Sequence, residues 1–380
     1  MTYDIIVVGV GGMGSAAVAE SAARGASVLG LERSSIPNDG GSSHGVNRII
    51  RLAYMEDPRY VPLLRRAYQR WRALQERAGE PILVVTGGVD VGLPDSESVR
   101  GSLEACHVHD LEHEVLGAHE LMARFPGFHV PDELQAIYQP DGGFVLSERS
   151  IAAYARLALA DGADLHGHEG VLEWWPEDDG VVVRTSRGRY RARRLIISAG
   201  AWVGRLLPEL AAVAVPERQV LMWSRTLRPE HFAVGAFPVF ILEVPEGRYY
   251  GFPEYGIPGF KLGRYHHRGE VADPDSLDRE RVEPEDEAVL RDCTSRYFPD
   301  ADGPALTLRS CLFTNTPDEH FIIDRLPDVP QVVVVSPCSG HGFKFASVVG
   351  EIAADLALEG GTHHDIEMFR IDRFAGGGAT

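Results

Sequence analysis

The chain has 380 residues, 44% of them hydrophobic, and a formal net charge of −18. That length gives room for two domains around a sizeable core, and the charge excludes nucleic acid and anionic membrane surfaces as partners. Four cysteines, Cys106, Cys293, Cys311 and Cys338, are widely spaced with no CxxC, so they read as free thiols of a reducing compartment.

Asp4 to Val8 reads as a buried strand, and Gly9-Val10-Gly11-Gly12-Met13-Gly14 follows it directly. A helix and a second strand, Ala26 to Leu31, lead to Glu32. In this arrangement the first glycine makes a tight turn, the second admits a pyrophosphate, and the third lets helix and strand pack closely. Free amides and the positive end of the helix dipole hold the pyrophosphate. A carboxylate at Glu32 accepts both ribose hydroxyls and argues against a 2′-phosphate. The chain is therefore expected to bind a dinucleotide other than NADP. No basic leader or cleavage site precedes the strand, and no run is apolar enough to span a bilayer, so a cytoplasmic protein is expected.

Gly40 to Gly45 is a flexible loop leading into Asn47-Arg48-Ile49-Ile50-Arg51. Residues 60–78 carry an amphipathic helical pattern. Thr86 to Val91 opens a different unit, residues 97–125 read as helical, and 147–160 as a further helix. Val171 to Trp175 and Gly180 to Thr185 predict an antiparallel hairpin. Leu195 to Ser198, followed by Ala199-Gly200-Ala201-Trp202, predicts a central parallel strand that ends at the cofactor. Residues 216–320 are rich in aromatics and prolines, with acidic turns such as Glu283 to Glu287, and predict a mixed sheet over a pocket. Residues 331–335 return as a buried strand, 340–344 form a second glycine loop, and a helix spans 346–358. Gly376 to Gly378 is a frayed tail. The fold class is thus α/β. A Rossmann-like domain is assembled from 1–82, 147–215 and 321–380, and a second, α+β domain with a mixed sheet comprises 83–146 and 216–320.

Only two of the 37 basic residues are lysines, Lys261 and Lys344. A GC-rich genome trades lysine for arginine on surfaces, but spares it where a compact charge with a movable pKa is required. Both survivors lie in glycine- and aromatic-rich segments, which marks them as functional candidates. Arg48 and Arg51 suit either a substrate carboxylate or structural salt bridges. The 340–344 loop is either a glycine turn or a helix N-terminus facing the negative edge of a reduced flavin. His107, His109, His113 and His119 match no zinc spacing and read as a solvated face, as do His363 and His364; no metal site is expected.

Four stretches carry a resemblance: Gly45 to Arg51, Tyr249 to Pro253, Cys311 to Asp324, and Ser339 to Phe345. Through them the chain resembles the monomeric sarcosine oxidase and N-methyltryptophan oxidase family, within the D-amino-acid-oxidase-like flavoproteins. The resemblance implies an FAD enzyme with the flavin tethered through Cys311 to its 8α-methyl. It implies Lys261 as the residue that activates oxygen, Arg51 and Lys344 as the carboxylate clamp, and Arg48 and His44 beside the flavin ring. Tyr250, Ile241 and Phe313 fall on pocket positions, the last two where sarcosine oxidase has methionine and tyrosine. A family histidine four residues beyond the lysine is replaced here by Tyr265, so either His266 serves in its place or the role is absent. The cofactor contacts are assigned to Gly9, Gly11, Gly12, Met13, Gly14, Glu32, Arg33, Ser43, His44, Arg48, Val171, Ala199, Gly200, Trp202, Cys311, Gly340, Gly342, Phe343 and Lys344. The implied activity is a monomeric oxidase of a secondary amine carrying a carboxylate, with molecular oxygen as the electron acceptor. A dehydrogenase using another acceptor and a non-catalytic flavin-binding protein are the alternatives.

Overall fold

In the computed structural model, which describes residues 2–336 and 339–374, two eight-stranded sheets and a small three-stranded sheet organise the chain. Cys338 and the glycine tail lie outside the described residues. The first sheet centres on the apolar strand Thr2–Val8, which pairs in parallel with Val28–Leu31 on one side and Arg189–Ile197 on the other. Asp164–His166 extends it beyond Val28–Leu31. Arg189–Ile197 divides its outer edge: its first half pairs with the Val171–Glu177 and Gly180–Thr185 hairpin, and its second half pairs in parallel with Val332–Ser336. All these strands fall in segments 1–82, 147–215 and 321–380.

One face of this sheet is covered by the helices Gly12–Ala23, Ser147–Ala160 and Ala346–Leu358, which are buried through Ala, Val and Ile side chains. Small residues let the first and last helices approach closely. A Cβ on Gly350 would lie 2.6 Å from that of Ala16.

The second sheet runs in the order Ala305–Asn315, Val215–Ser224, Phe260–Arg264, Gly247–Phe252, Val239–Val244, Gly88–Gly92, Gln135–Gln139, Glu114–Gly117. Its pairing is antiparallel except between Val239–Val244 and Gly88–Gly92. A separate core of Phe, Leu and Val, including the ring cluster of Phe128, Phe237, Phe240, Phe260 and Phe298, fills the space behind it.

Two predicted elements differ. The expected helix over 97–125 is a helix, a strand and a short helix: Glu97–His109 stops at Asp110, whose φ is +50°, and Glu114–Gly117 then joins the sheet edge. The acidic segment at Glu283 is the start of the helix Pro284–Tyr297 rather than a turn. Proline at the first position and acids in the first turn suit a helix N-terminus, where φ is preset and the dipole is positive.

That helix supplies a buried ionic node. Asp286 accepts from Arg218 Nη1 and Nη2 at 2.9 and 2.6 Å, from His267 Nε2 at 3.0 Å, and from the Glu283 amide at 2.8 Å. Burial opposes its charge, but Arg218, the Glu283 amide and His267 hold its carboxyl well below the usual range. Asp286→Asn should cost roughly 3–5 kcal/mol, the scale for breaking a buried ion pair from one side. The depressed pKa makes this contribution full above the unfolded carboxylate value of about 3.9, so the gap between variant and wild type should shrink as pH falls below it. Denaturant melts at pH 7 and pH 3 check both points, and an equal gap at the two pH values would remove Asp286 as its source.

Candidate active site

The glycine loop follows from close backbone contact. A Cβ on Gly14 would lie 1.8 Å from the Gly9 carbonyl oxygen, and one on Gly9, whose φ is +86°, would lie 2.4 Å from Ser198 O. The helix that begins at Gly12 has no side-chain cap; the Gly12 amide reaches Ser43 Oγ at 3.3 Å. Its dipole therefore faces an open cavity of about 830 Å³. Glu32 lies at the far end of the neighbouring strand, its two oxygens accepting from the Val10 and Ser34 amides at 3.0 Å each. Beside it Arg33 stacks over Trp202 at 4.5 Å, and both side chains bond Asp275.

The same cavity continues to a second region. Cys311 and Phe313, two apart on Ala305–Asn315, both line it, as do Tyr250 and Phe252 on Gly247–Phe252 and Ile241 on the adjacent strand. Side chains two apart share one face of a strand. Arg48 bonds Ser42 O at 2.8 Å and contacts Cys311 Sγ at 3.8 Å. Burial pushes the Cys311 thiol up, but His44, Arg48 and a Leu312 backbone bond outweigh it and bring it down to about 6. A thiol lowered in this way is shifted toward the thiolate, the nucleophilic form.

The cations fall into two settings. Lys261 donates to Gly45 O, Asn47 O and Asn47 Oδ1 at 2.7, 2.9 and 2.8 Å. These acceptors match the three protons of an ammonium, although burial and the nearby Arg48 push its pKa well down. It lies 4.2 Å from the centre of the Phe252 ring, which lines the cavity, while Lys261 itself is not among the lining residues. Arg51 and Lys344 do line it. Arg51 Nη2 meets Glu56 Oε2 at 3.1 Å, and its Nε meets Ala53 O at 3.1 Å and Asp90 Oδ2 at 3.4 Å. Burial opposes the charge on Glu56, but the Arg51 guanidinium, the largest opposing influence, holds its carboxyl down.

Of the expected positions, the structure gathers on one cavity Gly9, Gly11, Gly12, Met13, Glu32, Arg33, Ser43, Arg48, Arg51, Val171, Ala199, Gly200, Trp202, Ile241, Tyr250, Cys311, Phe313, Gly340, Gly342, Phe343 and Lys344. Gly14 lies beneath it, in contact with the Gly9 backbone. His44 is buried off the lining, and its Nε2 has no hydrogen-bond partner. The structure does not bring His266 to the cavity. Its ring is held between Glu217 Oε2 at 3.0 Å and Glu319 Oε1 at 3.1 Å, and these bonds raise it to about 9. Tyr265 lines the cavity instead. Sequence reasoning also missed Glu56 and Asp90, and with them His341 and Arg279, which line the cavity. An acid centred in Gly-Val-Asp-Val-Gly was a visible signal for Asp90; Glu56 gave none. The His363 and His364 pair lies near Asp355, but His364 Nε2 bonds Glu351 and Asp355 bonds Arg24 and Thr362.

This donor set fits FAD. A side-chain-free cradle and a helix N-terminus would hold its pyrophosphate, Glu32 at the end of the neighbouring strand would meet its ribose, and a buried Arg279 Nη1 has no partner of its own. A low-pKa thiol lies at the other region.

Such a fold and site define a dinucleotide-binding oxidoreductase. The comparisons make this specific: a family model described as FAD dependent oxidoreductase matches residues 4–356, and the chain belongs to that family. It is 44% identical to the monomeric sarcosine oxidase of Streptomyces avermitilis, with 98% of each chain covered. It is 36% identical to the N-methyl-L-tryptophan oxidase of Salmonella dublin, over 99% of this chain and 100% of that one. Among solved structures, a Tyr258Phe mutant of NikD, an amino acid oxidase of nikkomycin biosynthesis, superposes with a TM-score of 0.87 at 28% identity over 97% of both chains.

The Cys311 pKa yields a direct check. In protein produced without flavin, alkylation of Cys311 should follow its thiolate, with a midpoint near pH 6. In His44→Ala the midpoint should climb toward the ordinary thiol value of about 8.5. An unchanged midpoint would show that His44 does not set it.

Proposed function

We propose that the protein is an FAD-dependent oxidase of secondary amino acids, with N-methyl amino acids as the substrate class, oxygen as the acceptor and hydrogen peroxide as a product. The observation that carries this reading is one cavity that joins a dinucleotide cradle, Cys311 and an arginine–lysine pair. The names of the two relatives above, each aligned over nearly the full chain, support it.

A bound FAD supplies acceptance of a hydride equivalent from the carbon next to nitrogen and its passage to oxygen. The residues of the chain bind and orient. Gly9 to Gly14, Glu32, Arg33 and Trp202 would hold the adenosine and pyrophosphate. Cys311 would carry the ring through a thioether, beside Arg48. Arg51 and Lys344 would clamp the substrate carboxylate, and Tyr250, Tyr265, Ile241 and Phe313 would pack around its remaining atoms. Lys261 would keep a positive charge behind the Phe252 ring, where charge on reducing oxygen is stabilised by a preorganised cation. The reading includes a cytoplasmic, monomeric enzyme, and no helix among the described residues is long and apolar enough to cross a membrane.

The deciding measurement is anaerobic bleaching of the flavin by a panel of N-alkyl amino acids and their methyl esters. Acids should bleach it and esters should fail, while acid precipitation should leave the yellow colour in the pellet. No bleaching by any acid would overturn the activity, and colour released to the supernatant would overturn the covalent link. Lys261→Met should slow reoxidation of the reduced enzyme by about 10²–10³-fold, the scale for one lost electrostatic contact, and change flavin reduction much less. Stopped-flow traces of the two half-reactions separate these, and unchanged reoxidation would make Lys261 structural.

A further inference from the structure

Lys344 is 4% exposed, and its bonds go to neutral groups: His341 O at 2.9 Å and Tyr54 OH at 3.4 Å. His341 Nε2 faces the Glu319 carbonyl at 2.9 Å and must donate there. Burial brings the His341 imidazole down to about 4, so the ring is neutral and its Nδ1 accepts the Tyr54 hydroxyl proton at 2.5 Å. The Tyr54 oxygen is thereby turned toward Lys344.

The acids of this pocket are committed elsewhere. Glu56 and Asp90 both pair with Arg51, and Asp90 also accepts from Ser102 Oγ at 2.5 Å. The groups around Lys344 are thus Arg51, Tyr54 and Glu56 from the segment after the strand Asn47–Ile50, Asp90 from Gly88–Gly92, His341 on its own loop, and Tyr265 from the second sheet. The ion pair of Arg51 with Glu56 already occupies this desolvated space, and burial pushes the Asp90 carboxyl up against the pull of Arg51. A substrate carboxylate adds a further negative charge, and a buried charge demands a partner.

We propose that Lys344 is an uncharged amine in the ligand-free enzyme and becomes an ammonium as the substrate carboxylate binds. The proposal rests on the reading that the cavity takes an amino acid by its carboxylate. An amino acid arrives as a zwitterion, and its nitrogen and carboxylate lie within one hydrogen bond of each other. An N–H bond of its ammonium breaks, an N–H bond forms at Lys344 Nζ, and no proton is exchanged with solvent. The substrate nitrogen keeps the lone pair that loss of hydride from its neighbouring carbon requires, and the new ammonium pairs with the carboxylate. Burial first, then Arg51, holds Lys344 down at about 7 against the pull of Glu56 and Asp90.

The test uses holoenzyme whose flavin has been reduced beforehand, with oxygen excluded, so that ligands bind without turnover. An indicator dye at pH 8 reads proton exchange. Propionate, which has no amine, should take up about one proton per site from the buffer, and its Kd should rise about tenfold per pH unit above about 7. N-methylglycine should bind with no net uptake. Lys344→Arg, charged throughout, should bind propionate with no uptake and a flat Kd between about pH 6 and 9. Wild type that binds propionate without proton uptake overturns the proposal. So does full uptake in Lys344→Arg that disappears in Asp90→Asn, which would make Asp90 the acceptor. Failure of propionate and N-methylglycine to bind at all would instead overturn the carboxylate reading on which the proposal rests.

Discussion

The carbonyl of Gly9 occupies the space that a side chain on Gly14 would need, and the Gly9 α-carbon lies against the Ser198 backbone. At this crossing the first strand, the first helix and the strand ending at Ile197 meet with no side chains between them. Their hydrophobic cores lie above and below, so the backbone itself must form the floor of the cavity. The same close approach recurs where Gly350 rests on Ala16. That contact sets the last helix on the first and brings the 340–344 loop, with Lys344, to the cavity. A methyl group at either crossing would force apart segments that are more than 180 or 330 residues distant in the chain. Cofactor binding and the closure of this domain therefore depend on one steric condition.

Desolvation sorts the cations that the crossing assembles. Lys261 has three oxygens converging on one nitrogen, a geometry that a planar guanidinium, with its donors spread over three nitrogens, cannot reproduce. Arg51 shows the complementary case: its fork spans Glu56, Asp90 and a carbonyl at once, which a point charge could not do. The absence of lysine elsewhere in the chain thus has a physical counterpart at both positions where it persists. Each holds a single nitrogen in a small polar pocket with aromatic rings around it, Phe252 and Trp223 in one case and Tyr54 in the other.

The dinucleotide half was readable because its signals are local. A strand, three glycines and an acid specify the motif within 32 residues. The paired lysines were readable from composition. The Arg51 environment was not, since Glu56 lies in a loop and Asp90 on the other sheet, and only the fold brings them together. Tyr265 was within reach. The strand that carries Lys261 ends at Arg264, and Tyr265, the next residue, lines the cavity. His266 then turns away at φ +53° toward Glu217 and Glu319. The strand at Glu114–Gly117 was hidden for a different reason: three of its four residues are exposed at a sheet edge, and it carries no apolar alternation.

Register across the second sheet decides which chemistry the cavity offers. Val215–Ser224 pairs along its length with Ala305–Asn315, setting Gln219 opposite Cys311, and its other edge sets Trp223 opposite Lys261. A slip of one residue would turn Cys311 and Phe313 to the opposite face. The loop from the first domain guards against this. Arg48 contacts Cys311, while Gly45 and Asn47 accept from Lys261 and the Gly45 and Val46 amides bond Glu148. One short segment therefore ties the helix Ser147–Ala160 to the two strands of the second sheet that carry Cys311 and Lys261. Substitutions in this loop disturb the settings of Cys311 and Lys261 together, whereas those at Ile241, Phe313 or Tyr265 change the cavity walls and leave both settings intact.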